Sequence, residues 1–195
     1  MRRARVGVLI SGRGSNMAAL FEAARDPAYP AEIVCVVSNR PNAAGLQFAQ
    51  GLSILTQVVD HKNYSTRESF DAALNEYLQT QKLDVIACAG FMRIMTPVLL
   101  DPWAGKMINI HPSLLPLYKG THTHERALAD GAKIHGCTVH YVTAELDSGP
   151  IIAQAEVPVL ADDTPETLSA RVLAEEHKLY PKALAMLARQ VLSAV

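Results

Sequence analysis

Short runs rich in apolar and β-branched residues, Arg5 to Ile10, Glu32 to Ser38, Ile54 to Val59, Asp84 to Ala89 and Met107 to Ile110, recur along the chain, and amphipathic segments fill the earlier gaps between them. A strand that runs parallel to its predecessor must be reached by a crossover, usually a helix lying on the sheet. This alternation therefore restricts the chain to an α/β fold with a parallel sheet covered on both faces. After the first strand, apolar residues return at Met17, Leu20, Phe21 and Ala24 from a start near Ser15 or Asn16, a period of ~3.6 that predicts a helix. A second helix is expected over Asn42 to Gln50. A third is expected from about Thr66 to Gln79, with Phe70, Leu74 and Leu78 on one face and Ser65 or Thr66 as its cap.

The rhythm changes after residue 134. Gly136 to Thr143 and Pro150 to Val159 are extended patterns separated only by Ala144 to Gly149, a link too short for a crossover and suited to an antiparallel hairpin. Thr164-Pro165-Glu166 then supplies an N-cap, a first-turn proline and a first-turn acid for a long C-terminal helix, which Pro181 should bend or interrupt. No linker, repeat or low-complexity stretch divides residues 1–195, so one domain is expected.

Composition excludes several classes of function. A chain of 195 residues with 49% hydrophobic content can build a substantial core, and its net charge of -1 comes from Lys and Arg mixed among Asp and Glu. No basic stripe is available for a phosphate backbone, so no nucleic-acid partner is expected. Met1-Arg2-Arg3 has the look of a signal start, but Ser11-Gly12-Arg13 cuts the apolar run Val6 to Ile10 short of the ~7 residues that a signal core needs. Nor does any stretch approach the ~20 apolar residues of a membrane span. A cytoplasmic protein without a membrane partner is expected. Cys35, Cys88 and Cys137 form no Cys-x-x-Cys pair, which disfavours both a disulfide framework and a zinc ribbon.

Three places carry residues suited to chemistry. The first strand runs directly into Ser11-Gly12-Arg13-Gly14-Ser15-Asn16 and a helix, so free backbone N–H groups and a helix dipole point at one spot that suits a phosphate. Met17 stands where a dinucleotide loop needs its third glycine, strand two ends in Ser38-Asn39-Arg40 without a ribose-binding acid, and no Lys follows Gly14 as a Walker loop requires. A tight turn without ligand is the alternative reading of the same residues.

In Met107-Ile108-Asn109-Ile110-His111-Pro112 the period of two turns Asn109 and His111 to one face and the two isoleucines to the other. The pair lies at the carboxyl end of a strand, where chemistry collects in open parallel sheets. There the Asn109 amide can donate to a developing oxyanion, and His111 can donate a second hydrogen bond or move a proton near neutral pH. A satisfied structural histidine is the bland alternative. Asp147, in Glu145-Leu146-Asp147-Ser148-Gly149-Pro150, either bonds its own turn or reaches His111 and, with a water, relays protons. Five histidines fall between residues 111 and 140, but none has metal-ligand spacing. No metal is expected, and His122 or His124 is expected to cap the next helix.

These residues, together with Ala89-Gly90-Phe91-Met92-Arg93-Ile94, the run Asn109 to Pro116 and His135-Gly136-Cys137-Thr138-Val139-His140, resemble the phosphoribosylglycinamide formyltransferase family over nearly the whole chain. The run His111-Pro112-Ser113-Leu114-Leu115-Pro116 marks the wider formyltransferase superfamily, and the Ser-Gly-x-Gly-Ser-Asn loop marks the glycinamide ribonucleotide branch. The resemblance implies a Rossmann-like, mostly parallel twisted sheet with helices on both faces and a C-terminal antiparallel hairpin. It implies formyl transfer from 10-formyltetrahydrofolate, as co-substrate, to glycinamide ribonucleotide, without a metal and through a tetrahedral oxyanion.

By resemblance Asn109, His111 and Asp147 are catalytic, Gly14, Ser15 and Asn16 hold the nucleotide phosphate, and Glu176 holds its ribose. Met92, Arg93, Ile94, Met95 and Ala144, with Asn109 and Asp147, wall the folate site, and Arg67 meets the folate's glutamate tail. The N-terminal half would then bind phosphate, and the C-terminal half folate. A monomer or homodimer is expected, with no room for the further domains of methionyl-tRNA formyltransferase or formyltetrahydrofolate deformylase. A nucleotide-binding module without turnover and a histidine-based metal hydrolase are the readings from other classes.

Overall fold

The computed structural model describes residues 2–194; Met1, which opens the basic start of the chain, and Val195 lie outside them. Seven strands, β1 (Ala4–Ile10), β2 (Ala31–Ser38), β3 (Leu55–Val58), β4 (Val85–Cys88), β5 (Met107–His111), β6 (Ile134–Tyr141) and β7 (Ile151–Pro158), form one sheet in the order β3-β2-β1-β4-β5-β6-β7. The first five are mutually parallel, whereas β6 runs antiparallel to β5, and β7 to β6. The expected sheet with its C-terminal hairpin is therefore present. Chain order reverses at β1, whose neighbours are β2 and β4, and in such sheets the loops leaving the two central strands diverge and open a crevice at their carboxyl ends.

The helices are α1 (Ser15–Ala24), α2 (Ala44–Gly51), α3 (Arg67–Thr80), α4 (Pro97–Leu100), α5 (Thr123–Ala129) and α6 (Pro165–Ser193). Alternation along β1 sends Val6, Val8 and Ile10 into one core with Met17 and Leu20 of α1 and with Val172, Tyr180 and Leu184 of α6. Leu9 joins the opposite core, with Phe70, Leu74 and Leu78 of α3 and with Trp103. Thr66 caps α3 by accepting from the Ser69 amide, and Ser69 answers in a reciprocal capping box. Burying a Leu or Phe of these helices is worth roughly 1.5–3 kcal/mol, so packing on the sheet, more than helix propensity, holds them.

Thr164 caps α6 as expected, with Pro165 and Glu166 in its first turn, but Pro181 does not interrupt the helix, which runs unbroken over 29 residues. Pro181 has no N–H for the carbonyl of His177 four residues back. The buried residues on either side of it, Leu179, Tyr180, Ala183 and Leu184, all pack against the sheet and hold the helix through the gap. The Pro181 carbonyl also accepts a 2.6 Å bond from the Tyr29 hydroxyl. From the same stretch, the buried Tyr180 hydroxyl lies 2.8 Å from the carbonyl of Cys88 and 3.3 Å from that of Ile108, which ties α6 to β4 and β5 next to the crevice. Among the described residues no helix is long and apolar enough to cross a membrane.

Candidate active site

At the end of β1 the chain turns sharply into α1 through Gly14, whose φ of 74° lies in the left-handed region that a residue without Cβ adopts at little cost. The Gly45 amide at the start of α2 donates to the Gly12 carbonyl at 3.1 Å and braces this loop. No side chain caps α1 and no acid stands in its first turn, so its leading N–H groups and its dipole favour an anion. Asn16 donates from Nδ2 to Glu176 Oε2 at 2.7 Å, joining two residues 160 positions apart. Glu176 is buried, which pushes its carboxyl above the usual range, while the Asn16 amide pulls it back. Asn16 Oδ1 is buried without a partner, an acceptor that a ligand's hydroxyl or amine can satisfy.

On β5, Ile108 and Ile110 enter the core shared with α1 and α6, which leaves Asn109 and His111 on the opposite face. Asp147 arrives from the turn between β6 and β7. That turn folds tightly because a Cβ at Gly149 would stand 1.8 Å from the Tyr141 carbonyl oxygen, a contact that excludes every other residue in this conformation. Asp147 Oδ2 lies 3.4 Å from His111 Nδ1, with both side chains largely sequestered, and accepts a 2.8 Å bond from the Gly120 amide. His111 Nε2 lies 2.9 Å from the Tyr118 carbonyl. A carbonyl can only accept, so Nε2 carries hydrogen and Nδ1 is the nitrogen that can exchange a proton beside the carboxylate.

β-Sheet register sets His140 opposite Asn109. Its Nδ1 donates to the Tyr141 carbonyl at 2.9 Å, while Nε2 faces the Asn109 amide nitrogen at 3.3 Å and Asp147 Oδ1 at 3.7 Å. Burial lowers the pKa of His140 and favours its neutral form. Neutral His140 with its hydrogen on Nδ1 presents a bare Nε2, which accepts from Asn109 and fixes the carboxamide. One of the two amide hydrogens is used in this bond, leaving the other for a ligand oxygen.

Asn109, His111 and Asp147 share one wall of a cleft of about 800 Å³, whose lining also includes Ser15, Asn16, Glu176, Met92, Arg93 and Ile94. That volume suits a metabolite-sized ligand. A side pocket of about 100 Å³ is bounded by Arg93, Ile94, Met95, Asn109, His140, Ala144 and Asp147. Gly14 shapes the loop without lining the cleft, and Arg67 stands exposed at the start of α3, lining neither cavity. Ser15, Asn16 and Glu176 line the larger cleft only, while Arg93, Asn109 and Asp147 border both cavities.

The formyl transferase family model matches residues 4–184. The phosphoribosylglycinamide formyltransferase of Escherichia coli (strain K12) is 42% identical over 181 residues, covering 93% of this chain and 85% of that protein. The chain belongs to the phosphoribosylglycinamide formyltransferase family. A crystal structure of a phosphoribosylglycinamide formyltransferase from Brucella melitensis superposes on it with a TM-score of 0.92, at 51% identity and 96% coverage of both chains. The trifunctional purine biosynthetic protein adenosine-3 of Bos taurus is 49% identical over 187 residues, but the chain spans only 18% of the length of that relative.

In this member of the formyltransferase family, sequence reasoning missed His140 and Gly120. His140 stood among five clustered histidines, and only the pairing of β5 with β6 reveals that it faces Asn109. The Gly120 amide carries no side-chain signal at all. The expected histidine cap also needs correction. His122 occupies the N-cap position of α5 with a φ of 58°, yet its side chain makes no capping bond, and Nδ1 instead sits 3.4 Å from Glu125 Oε1. His124 lies in the helix and faces His135, Nδ1 to Nε2 at 3.2 Å. Among the described residues no group of three or more His, Cys, Asp or Glu side chains is disposed to hold a metal ion.

Proposed function

We propose that this protein transfers the formyl group of 10-formyltetrahydrofolate to the amine of glycinamide ribonucleotide, giving formylglycinamide ribonucleotide and tetrahydrofolate in purine biosynthesis. The observation that carries this reading is the approach of Asp147 to within 3.4 Å of His111, in a cleft that Asn109, Ser15 and Asn16 also line. Gly14, Ser15 and Asn16 take the nucleotide phosphate at the start of α1, and Glu176, held by Asn16, takes the ribose hydroxyls. Met92 to Met95 and Ala144 take the pterin-like end of the folate through backbone groups, while Arg67, exposed on the surface, meets its glutamate tail. The N-terminal loop thus serves the phosphate, while the folate side draws on both halves of the chain.

Attack of the amine on the formyl carbon makes a tetrahedral oxyanion, and the free Asn109 N–H stabilises it. His111 and Asp147, bridged by a water, take the proton from the attacking nitrogen and deliver it to the leaving N10 of the folate. No covalent enzyme intermediate and no resident metal takes part in this route; the barrier falls through positioning of two substrates and through preorganised hydrogen bonds. Supplying both compounds to the purified protein should produce tetrahydrofolate and formylated nucleotide in equal amounts. Folate hydrolysis that ignores the nucleotide would overturn the assignment.

A further inference from the structure

We propose that Asp71, a residue of α3 that lines neither cavity, is a positioning residue for the folate subsite, holding the Met92 to Met95 loop in its binding conformation. The inference rests on the function proposed above and extends it to a group outside the site. Residues 91–96 have no regular secondary structure, yet side chains from other elements fix both ends of the segment. At one end the Met92 amide donates to Ser11 Oγ at 2.8 Å, and Ser11 donates onward to Asn39 Oδ1 at 2.5 Å. At the other, the Thr96 amide donates to Asp71 Oδ2 at 2.6 Å.

Asp71 is 1% exposed and shares the buried face of α3 with Phe70, Leu74 and Leu78. If packing alone mattered there, an apolar residue would serve as well or better, because a buried carboxylate loses its hydration. Burial does push its carboxyl upward, while the Thr96 amide and the Arg93 charge oppose the shift. Arg93, in the middle of the loop, places its guanidinium 5.4 Å from the centre of the Phe70 ring, beside Asp71 in sequence. Its Nε is buried without a hydrogen-bond partner, and the guanidinium packs over the aromatic face. Asp71 thus fixes the end of the loop, while its neighbour Phe70 packs against the central arginine.

Steady-state kinetics with both substrates, alongside thermal melting, test the idea on wild type, Asp71→Ala and Asp71→Asn. Asp71→Ala leaves the Thr96 amide unpaired and should raise KM for 10-formyltetrahydrofolate about 10-fold, with KM for glycinamide ribonucleotide changed less than about 2-fold. Asp71→Asn keeps an acceptor oxygen in place and should recover most of that loss. If Asp71→Ala does not fold, Asp71→Glu takes its place: moving the carboxylate by one methylene should raise the folate KM above that of Asp71→Asn. Equal rises in both KM values, an unselective loss that follows the melting temperature, or Asn faring as badly as Ala or Glu would overturn the proposal. Wild-type protein inactive with these substrates would instead sink the functional assignment itself.

Discussion

The Asn109 carboxamide is held by His140, whose bare Nε2 lies 3.3 Å from its amide nitrogen because the register of β6 against β5 sets the two residues opposite each other. His140→Phe keeps the bulk and removes the acceptor, so the carboxamide is free to turn. We expect kcat to fall about 10-fold, the worth of one hydrogen bond, with KM for the nucleotide nearly unchanged in steady-state assays. Unchanged kcat would show that Asn109 keeps its orientation without His140. Asn109 and His111 are legible in the sequence as a pair, because the period of a strand is two and the isoleucines between and beside them declare which face is core. Asp147 is legible as a chemical type but not as a neighbour, since no local rule brings a residue 36 positions further along the chain to within 3.4 Å of His111. His140 cannot be singled out from sequence, because its role depends on strand register.

At the scale of elements, the parallel strands, the hairpin and three of the helices followed from periodicity and cap residues, with boundaries shifted by a residue or two. Pro181 does not interrupt α6, for a physical reason: a proline forfeits one helical hydrogen bond, and the buried leucines and alanines around it on a 29-residue helix compensate through sheet packing. The turn between β6 and β7 is where an element controls the chemistry. Gly149 permits the close approach to Tyr141 that carries Asp147 into the cleft, with Asp147 itself at a φ of 48°. Gly149→Ala is expected to lower kcat by at least about 10-fold and to destabilise the fold by about 1–3 kcal/mol, because the turn must open to admit a methyl group. Chemical denaturation and a kinetic assay on one preparation would check both effects; wild-type values in each would remove the turn from the account.

Across the whole molecule, the buried histidines give stability a definite pH dependence. Burial lowers the pKa of His124, His140 and His177, and brings that of His135 down to about 4 with help from neighbouring histidines. In the unfolded chain these groups titrate near 6.5, so between about pH 6.5 and 4 the unfolded state binds more protons than the folded one. The stabilisation is complete above pH 6.5 and is lost as pH falls. His135, almost wholly buried, adds a slope of at most about 1.4 kcal/mol per pH unit. Glu176, whose carboxyl is raised, acts in the opposite sense, losing stability as pH rises through its folded pKa. Urea midpoints should therefore drop from pH 7 to pH 5, and His135→Gln should flatten the drop; an equally steep fall in that variant would mean that His135 is not a source of the slope.

Single-turnover formyl transfer in Asn109→Ala and Asp147→Asn, with nucleotide affinity measured on the same samples, decides whether Asn109, His111 and Asp147 join two substrates in one cleft. Transfer is expected to be at least about 100-fold slower in each variant while glycinamide ribonucleotide binds as tightly as to the wild type. Transfer at the wild-type rate in either variant would overturn these roles.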